Sequence, residues 1–329
     1  MSERSDRLLL DHLELYRRMW VLRLLDMALQ ELRIEGLMKT PVTAAFGQEA
    51  VGIGAAGALC EGDIVITTHR AHAQHVGVGG PVGSIIAALL ARAGNELIAA
   101  DEPPLVAHPI AGMSAPSCVV EQSPLLAIGH AYRQWVEDSD QATLCITEDG
   151  DVDTGAFNET ANLAVVWQLP VVILVENIRC ALSVCLRNQA RDTQLYRKAA
   201  AYGMPGVSVD GNDVAAVRDA VGKALARARD GGGPTLVQAI TYRTTDFSGS
   251  DRGGYRDLVG SEQFLDPLIF ARKRLLACGA RRTQLDDLER AARHLVGDAV
   301  AVVKAGPRLG NRGLGRAASR PDGPSESRG

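Results

Sequence analysis

The sequence predicts an α/β fold, a doubly wound parallel sheet with flanking helices. Two apolar runs, residues 142–147 and 171–175, have the composition of strands that are buried on both faces. The segment between them, residues 158–168, reads as a helix, and alternation of strands and helices continues to residue 240. Such alternation is typical of a parallel sheet with helices on both faces.

The first part of the chain is predicted to be mainly helical. Apolar residues recur at helical spacing over 8–35, which indicates one long helix or two, ended by a glycine. A helix over 47–59 is rich in Ala and Gly, and such small residues favour a buried helix that is closely approached by its neighbours. A short strand over 63–67 and a helix over 82–92 follow. Residues 95–123 have several prolines and no periodicity, which favours a long loop.

The second part completes the alternating pattern and ends in a polar tail. Its predicted helices are 124–135, 193–202, 214–229 and a helical segment over 266–303, and its further strands are 207–209 and 235–240. Residues 305–329 are rich in Gly, Arg, Ser and Pro, which predicts a disordered tail.

Composition excludes several classes of protein. With 329 residues, 46% hydrophobic and 22% charged, the chain is an ordinary globular protein. With a net charge of -4, the chain lacks the excess of basic residues that binding to nucleic acid or to an anionic membrane favours. No apolar run reaches the roughly 18 residues that would span a bilayer. The N-terminus carries scattered charges and no cleavage signal, so we expect a cytoplasmic protein.

Polar residues follow two neighbouring strands of the predicted sheet. Asp149 and Gly150 come directly after the first apolar run, and Asn177 closes the second. The carboxyl ends of parallel strands form one edge of a sheet, where ligands bind. A carboxylate and an amide oxygen held there suit a hard cation such as Mg²⁺, which in turn grips a diphosphate.

This arrangement resembles the thiamine diphosphate motif of two-carbon-transfer enzymes, in which GDG precedes an Asn by roughly thirty residues. Further segments are similar, in sequence order, to the alpha subunit of the E1 component of 2-oxo acid dehydrogenases of the pyruvate and branched-chain type. The segments are FGQEAVGIGAAGAL (46–59), GDIVITTHRAH (62–72), DGDVDTGAFNETANLAVVWQLPVVILVEN (149–177), AAAYGMPGVSVDGNDV (199–214) and GPTLVQAITYR (233–243). The resemblance implies one E1-alpha-like, thiamine-diphosphate-binding domain over 1–304.

The resemblance also implies cofactors and partners. The family binds thiamine diphosphate and Mg²⁺ between an alpha and a beta subunit, in an α2β2 heterotetramer. The acyl or two-carbon unit goes to a lipoyl group, and a carrier protein is a second acceptor that we consider. The Ala- and Gly-rich helix over 50–59 and the open carboxyl edge of the sheet are expected to be covered by other subunits, as they are in the family.

Site residues carry over position by position. Asp149 matches the metal-binding Asp, Gly150 matches the glycine after it, and Asn177 lies in the segment that supplies the metal-binding amide. Cys180 stands where the family uses a backbone carbonyl as a metal ligand. The family's metal-binding Asn itself aligns with Ile178.

A second group of matching residues follows the strand over 63–67. Arg70 matches the Arg that contacts the diphosphate, and its guanidinium fork suits phosphate oxygens. His69 takes the place of the family's Tyr beside it. His72 matches the family's His and is our candidate for a catalytic, proton-handling residue.

Other positions depart from the family. Thr43 and Phe247 replace two histidines, and the Gly-rich segment of the family is absent from residues 95–117. These departures predict a specialised keto acid or ketose donor, with little oxidation of pyruvate or of branched-chain 2-oxo acids. The alternative function is a catalytically degenerate scaffold subunit that stabilises an active beta partner.

Two further polar clusters have simpler interpretations. Asp151 and Asp153 resemble the start of a calcium loop, but acidic residues at a helix N-terminus explain them as well. Either carboxylate could also replace the metal ligand that the family has at the position of Ile178. His69, His72 and His75 lack a convincing fourth partner for zinc.

Overall fold

The five-stranded parallel sheet predicted from the sequence is present in the computed structural model of the chain. The structure describes residues 3–38, 44–67, 71–90, 122–181, 184–242 and 265–306. The α-helices of these residues are α1 (Glu3–Ile34), α2 (Glu49–Ala56), α3 (Ala71–Gly77), α4 (Val82–Leu89), α5 (Gln122–Val136), α6 (Gly155–Val166), α7 (Ala199–Tyr202), α8 (Val214–Arg227), α9 (Pro267–Ala277) and α10 (Arg282–Ala305). The strands are β1 (Ile64–Ile66), β2 (Thr143–Glu148), β3 (Val171–Asn177), β4 (Cys180–Ala181), β5 (Val184–Cys185), β6 (Gly206–Asp210) and β7 (Thr235–Ile240).

The main sheet has the strand order β1-β2-β3-β7-β6, and every neighbouring pair is parallel. Successive residues of β2 and β3 face opposite sides, and both sides are buried. Leu144 and Val172 pack with α2 and α8 on one face, whereas Cys145 and Val171 pack with α5 and α6 on the other. Helices on both faces confirm the predicted doubly wound architecture.

A further helical layer lies outside α2. Helices α1, α4, α9 and α10 share one apolar cluster with residues of α2 and α3. The predicted helix over 8–35 is a single helix, α1, and the predicted segment over 266–303 is two helices. Gly279, with a φ of 97°, lies between α9 and α10 in the left-handed region that glycine adopts without strain.

Helix α2 is buried by helices of this same chain, which corrects one expectation. All of its residues are inaccessible or nearly so. A Cβ at Gly54 would lie 2.7 Å from the carbonyl oxygen of Val214, and one at Gly52 would lie 2.8 Å from the Cβ of Ala73. The glycines therefore allow α8 and α3 to approach closely, as predicted. Covering by another subunit is not needed at α2, so that part of the expectation was wrong.

Other differences from the predicted elements are local. The segment after β1 contains helix α3, which was not predicted. The predicted helix over 193–202 is a 3₁₀ helix, Leu195–Lys198, followed by α7. The two-stranded β4–β5 hairpin was not predicted. The loop predicted over 95–123 falls almost entirely, and the tail predicted over 305–329 largely, outside the described residues, and the single domain over 1–304 stays a prediction.

No helix of the described residues has the length and apolar character that crossing a membrane requires.

We expect Gly54→Ala to destabilise the protein, because the new methyl group would overlap a backbone oxygen that α8 cannot easily move. Overpacking of this kind costs about 1–3 kcal/mol. Gly222→Ala in α8 is the matched control, since its Cβ would meet only Ala58 Cβ at 3.9 Å and Ala favours a helix. Urea unfolding of both variants tests this. A Gly54→Ala variant as stable as Gly222→Ala would contradict the close packing.

Candidate active site

The register of the sheet brings Asp149 and Asn177 to the same place. Glu148 pairs with Glu176 as the last residue pair of β2 and β3, so Asp149 and Asn177 follow side by side. Asn177 pairs in turn with Ile240 at the end of β7. The carboxylate and the amide that the sequence places after two strands therefore lie at one carboxyl edge, as the parallel topology requires.

The turn after β2 buries Asp149. This residue begins a 3₁₀ helix, Asp149–Asp153, and its side chain is 0% exposed. The neighbouring Asp151 fixes the turn, because its Oδ2 accepts hydrogen bonds from Thr147 Oγ1 at 2.6 Å and from Glu148 N–H at 3.2 Å. The Asp151 carboxylate therefore stabilises the turn after β2.

The outer acidic residue of this turn also has a structural partner. Asp153 forms an ion pair with Lys198, which joins the turn to the start of α7. Among the residues that the structure describes, no group of three or more His, Cys, Asp or Glu side chains is arranged to hold a metal ion. A cation at this edge would depend on one carboxylate together with amide and backbone oxygens, which are hard donors of the kind that Mg²⁺ takes.

Asn177 is held by both neighbouring segments. Its Oδ1 accepts a hydrogen bond from Arg179 N–H at 2.9 Å, and its carbonyl oxygen accepts one from Thr241 N–H at 2.9 Å. Arg179 has a φ of 61°, so the chain turns sharply after β3. Ile178 is buried, and its side chain carries no oxygen. An amide oxygen has a second lone pair, so Asn177 Oδ1 can still bind a cation.

The two backbone positions of the predicted site lie close to these side chains in sequence. Gly150 is the second residue of the 3₁₀ helix that Asp149 begins. Cys180 begins β4 and pairs with Cys185 of β5 in an antiparallel ladder. The hairpin folds back on the turn, because Leu186 N–H donates to the carbonyl oxygen of Arg179 at 2.9 Å.

His72 is the second residue of α3 and is buried against α1. Its Nε2 lies 3.0 Å from Oδ1 of Asp26, and both side chains are almost inaccessible. The other carboxylate oxygen of Asp26, Oδ2, accepts a hydrogen bond from Ala45 N–H at 2.8 Å. The structure therefore connects His72 to the outer helical layer and to the segment that leads into α2.

The segment before α2 is anchored by a buried charge cluster. Thr241 Oγ1 donates to the carbonyl oxygen of Gly47 at 2.8 Å, and Gly47 N–H donates to Glu49 Oε2 at 2.9 Å. Glu49 forms an ion pair with Arg23, which also contacts Asp266 at 3.1 Å. Burial raises the pKa of the Glu49 carboxyl, and the Arg23 guanidinium acts in the opposite direction. The loop after β7 is thus tied to the N-terminus of α2.

Several predicted residues lie outside the described residues. His69 and Arg70, proposed to contact a diphosphate, are among them, as are Thr43, Phe247 and residues 95–117. Their assignments stay predictions.

Sequence reasoning missed Asp26 and Thr241. Asp26 was detectable, since it lies four residues after Leu22 and three before Leu29, on the buried face of an amphipathic helix. A carboxylate at such a position needs a partner. Thr241 gave no comparable signal, because its partners Asn212, Asn177 and Gly47 lie 29, 64 and 194 residues away along the chain.

Comparison with known proteins gives one consistent result. A family model described as "Dehydrogenase E1 component" matches residues 16–311. The alpha subunit of acetoin:2,6-dichlorophenolindophenol oxidoreductase of Bacillus subtilis is 31% identical over 242 residues, which cover 74% of this chain and 73% of that one. Subunit alpha-3 of the chloroplastic pyruvate dehydrogenase E1 component of Oryza sativa is 32% identical, over 90% of this chain and 72% of its own. The pyruvate dehydrogenase E1 subunit alpha of Rhizobium meliloti is 29% identical, over 90% and 86%.

Proposed function

The chain belongs to the dehydrogenase E1 component family, and we propose that it is the half of the enzyme that holds Mg²⁺ and the diphosphate of the cofactor. Membership makes it a thiamine-diphosphate-dependent 2-oxo acid dehydrogenase E1 component of the alpha type, which works with a beta-type partner. An α2β2 assembly is the form that we propose for the complex.

One observation carries the proposal. Asp149 is fully buried at the end of β2, beside Asn177 at the end of β3. A carboxylate beside an amide oxygen is a donor pair of the kind that a hard cation takes. The hard oxygen donors at this edge fit Mg²⁺, and a diphosphate bound through Mg²⁺ would lie over the carboxyl ends of the strands.

Each residue of the site has a distinct task in this proposal. Asp149, Asn177 and the backbone carbonyl of Cys180 bind the cation, and Gly150 allows close approach of the backbone. Arg70 and His69 hold diphosphate oxygens. His72 moves a proton. When bound, thiamine diphosphate supplies the carbanion-stabilising centre that no side chain offers.

The donor and the acceptor are the finer part of the proposal. The names of the relatives include pyruvate and acetoin as substrates. Thr43 and Phe247, where related proteins are expected to carry histidines, favour a specialised 2-oxo acid or ketose instead, because neither side chain exchanges protons as imidazole does. We propose that the two-carbon or acyl unit is transferred to a lipoyl group or to a carrier protein.

The alternative function is a scaffold that stabilises an active beta-type partner. Ile178 favours it, because an apolar and buried side chain stands where the family places its amide ligand. The two functions differ in whether the assembled complex retains the cofactor.

We expect the complex of this chain with its beta-type partner to retain thiamine diphosphate in the presence of Mg²⁺ after desalting. Dye reduction with pyruvate, with branched-chain 2-oxo acids and with acetoin tests the donor, and we expect weak turnover of the first two. A complex that retains no cofactor at millimolar Mg²⁺ would support the scaffold function. Pyruvate turnover equal to that of an ordinary E1 enzyme would show that Thr43 and Phe247 do not restrict the donor.

A further inference from the structure

Asp26 is a buried carboxylate of helix α1. Helix α1 belongs to the outer layer, and Leu22, Leu25 and Leu29 around Asp26 are core residues. Only 1% of Asp26 is exposed. A charge in such surroundings costs several kcal/mol unless it is paired, so its partners indicate what the residue is for.

The two carboxylate oxygens have different partners. Oδ2 is fixed by Ala45 N–H at 2.8 Å. Oδ1 faces His72 Nε2 at 3.0 Å, and both of these atoms are inaccessible to solvent. Within the part of the chain that the structure describes, neither atom has a partner with hydrogen-bond geometry, and each is the other's charged or polar neighbour at 3.0 Å. Since buried polar atoms need partners, each of the two depends on the other.

We propose that Asp26 is a positioning residue that keeps a proton on His72 Nε2 and fixes the ring, so that Nδ1 is left as the nitrogen that accepts and releases a proton. A carboxylate beside one ring nitrogen selects the tautomer protonated there. Because Ala45 holds the second oxygen, the carboxylate itself cannot rotate freely. This inference rests on the proposed function only in one respect, that His72 transfers a proton near the cofactor.

Asp63 shows what a purely structural buried carboxylate looks like in the same chain. It accepts hydrogen bonds from Ala142 N–H at 3.0 Å and from Cys60 N–H at 2.8 Å, and it pairs with Arg229. It precedes β1 and so lies at the amino edge of the sheet, away from His72. Asp63→Asn is therefore a matched control for Asp26→Asn.

The first test reads the ring directly and does not depend on bound cofactor. The complex is prepared with ¹⁵N-histidine in this chain, and the His72 signals in a solid-state spectrum are identified by their loss in His72→Gln. We expect a protonated Nε2 in the wild type and in Asp63→Asn, and loss of this preference in Asp26→Asn. An unprotonated Nε2 in the wild type overturns the inference, even if Asp26→Asn fails to fold. An unchanged signal in Asp26→Asn overturns it as well.

The second test measures whether Asp26 acts through His72. With the donor that the wild-type complex turns over, Asp26→Asn should lower kcat about 10- to 100-fold, as outer-shell substitutions do, with little change in KM. Asp26→Glu should recover part of the loss. Combining Asp26→Asn with His72→Gln should be no worse than His72→Gln alone, because coupled residues are not additive. Fully additive losses overturn the inference.

The two proposals fail in different ways. A complex that retains no thiamine diphosphate contradicts the proposed function and leaves the spectroscopic result intact. A complex that binds and uses the cofactor, with His72 unaffected by Asp26→Asn, contradicts the positioning role alone.

Discussion

Asp149→Ala should reduce the Mg²⁺-dependent affinity of the complex for thiamine diphosphate by about 100-fold or more. A hundredfold change corresponds to about 2.8 kcal/mol. The substitution removes the carboxylate that is buried at the end of β2, and a hard cation binds much more weakly without an anionic oxygen. Titration calorimetry of the reconstituted complex, at several Mg²⁺ concentrations, measures the effect.

Asp153→Ala is the control for this experiment. It removes a carboxylate from the same 3₁₀ helix, but one that is partly exposed and pairs with Lys198. Loss of an exposed ion pair changes the free energy of unfolding by about 0–1 kcal/mol, so the turn should keep its structure. Cofactor affinity should therefore stay close to that of the wild type. Equal affinity in Asp149→Ala and in the wild type would refute the metal site and favour the scaffold function.

Asp63→Ala should lower the free energy of unfolding by about 3–5 kcal/mol, the usual cost of removing one partner of a buried ion pair. The carboxylate of Asp63 satisfies Ala142 N–H and Cys60 N–H and also faces Arg229, whose Nε lies 3.1 Å from Oδ1. Its loss leaves a guanidinium and two amide groups without their acceptor at the start of β1.

The free energies of unfolding of Asp63→Ala and Glu137→Ala, measured with urea, compare the loss of a buried carboxylate with the loss of an exposed one. Glu137 lies 3.7 Å from Arg133, and both side chains are more than half exposed. Its loss should change stability by less than about 1 kcal/mol. A similar midpoint for the two variants would mean that the contacts of Asp63 contribute no more than a surface pair.

Strands β2 and β3 were predictable because both are buried and their sequences are nearly continuous apolar runs. Residues 171–175 pack on both faces of the sheet, and only a parallel strand between two helical layers needs such a run. Helix α3 was not predictable in this way. Its sequence, AHAQHVG, has polar residues that are buried, and the contact with Asp26 that compensates His72 is made 46 residues away.

The same distinction applies to the candidate site, where some residues follow from local sequence patterns and others depend on contacts between distant segments. Asp149 and Asn177 could be placed together from sequence, because parallel strands align their carboxyl ends whatever the details of packing. The structural role of Asp151 was among the interpretations of the acidic turn, and its hydrogen bonds to Thr147 and Glu148 confirm it. The contacts of Asp26 and Thr241 arise only when distant segments pack, which local patterns do not encode.

The burial of α2 within its own chain bears on the order in which the enzyme is built. A subunit whose central helix is already enclosed by α1, α3 and α8 completes its apolar core during its own folding. We therefore expect the packing around α2 to form in the isolated subunit as well, without the dependence on partner concentration that a surface buried between two chains has.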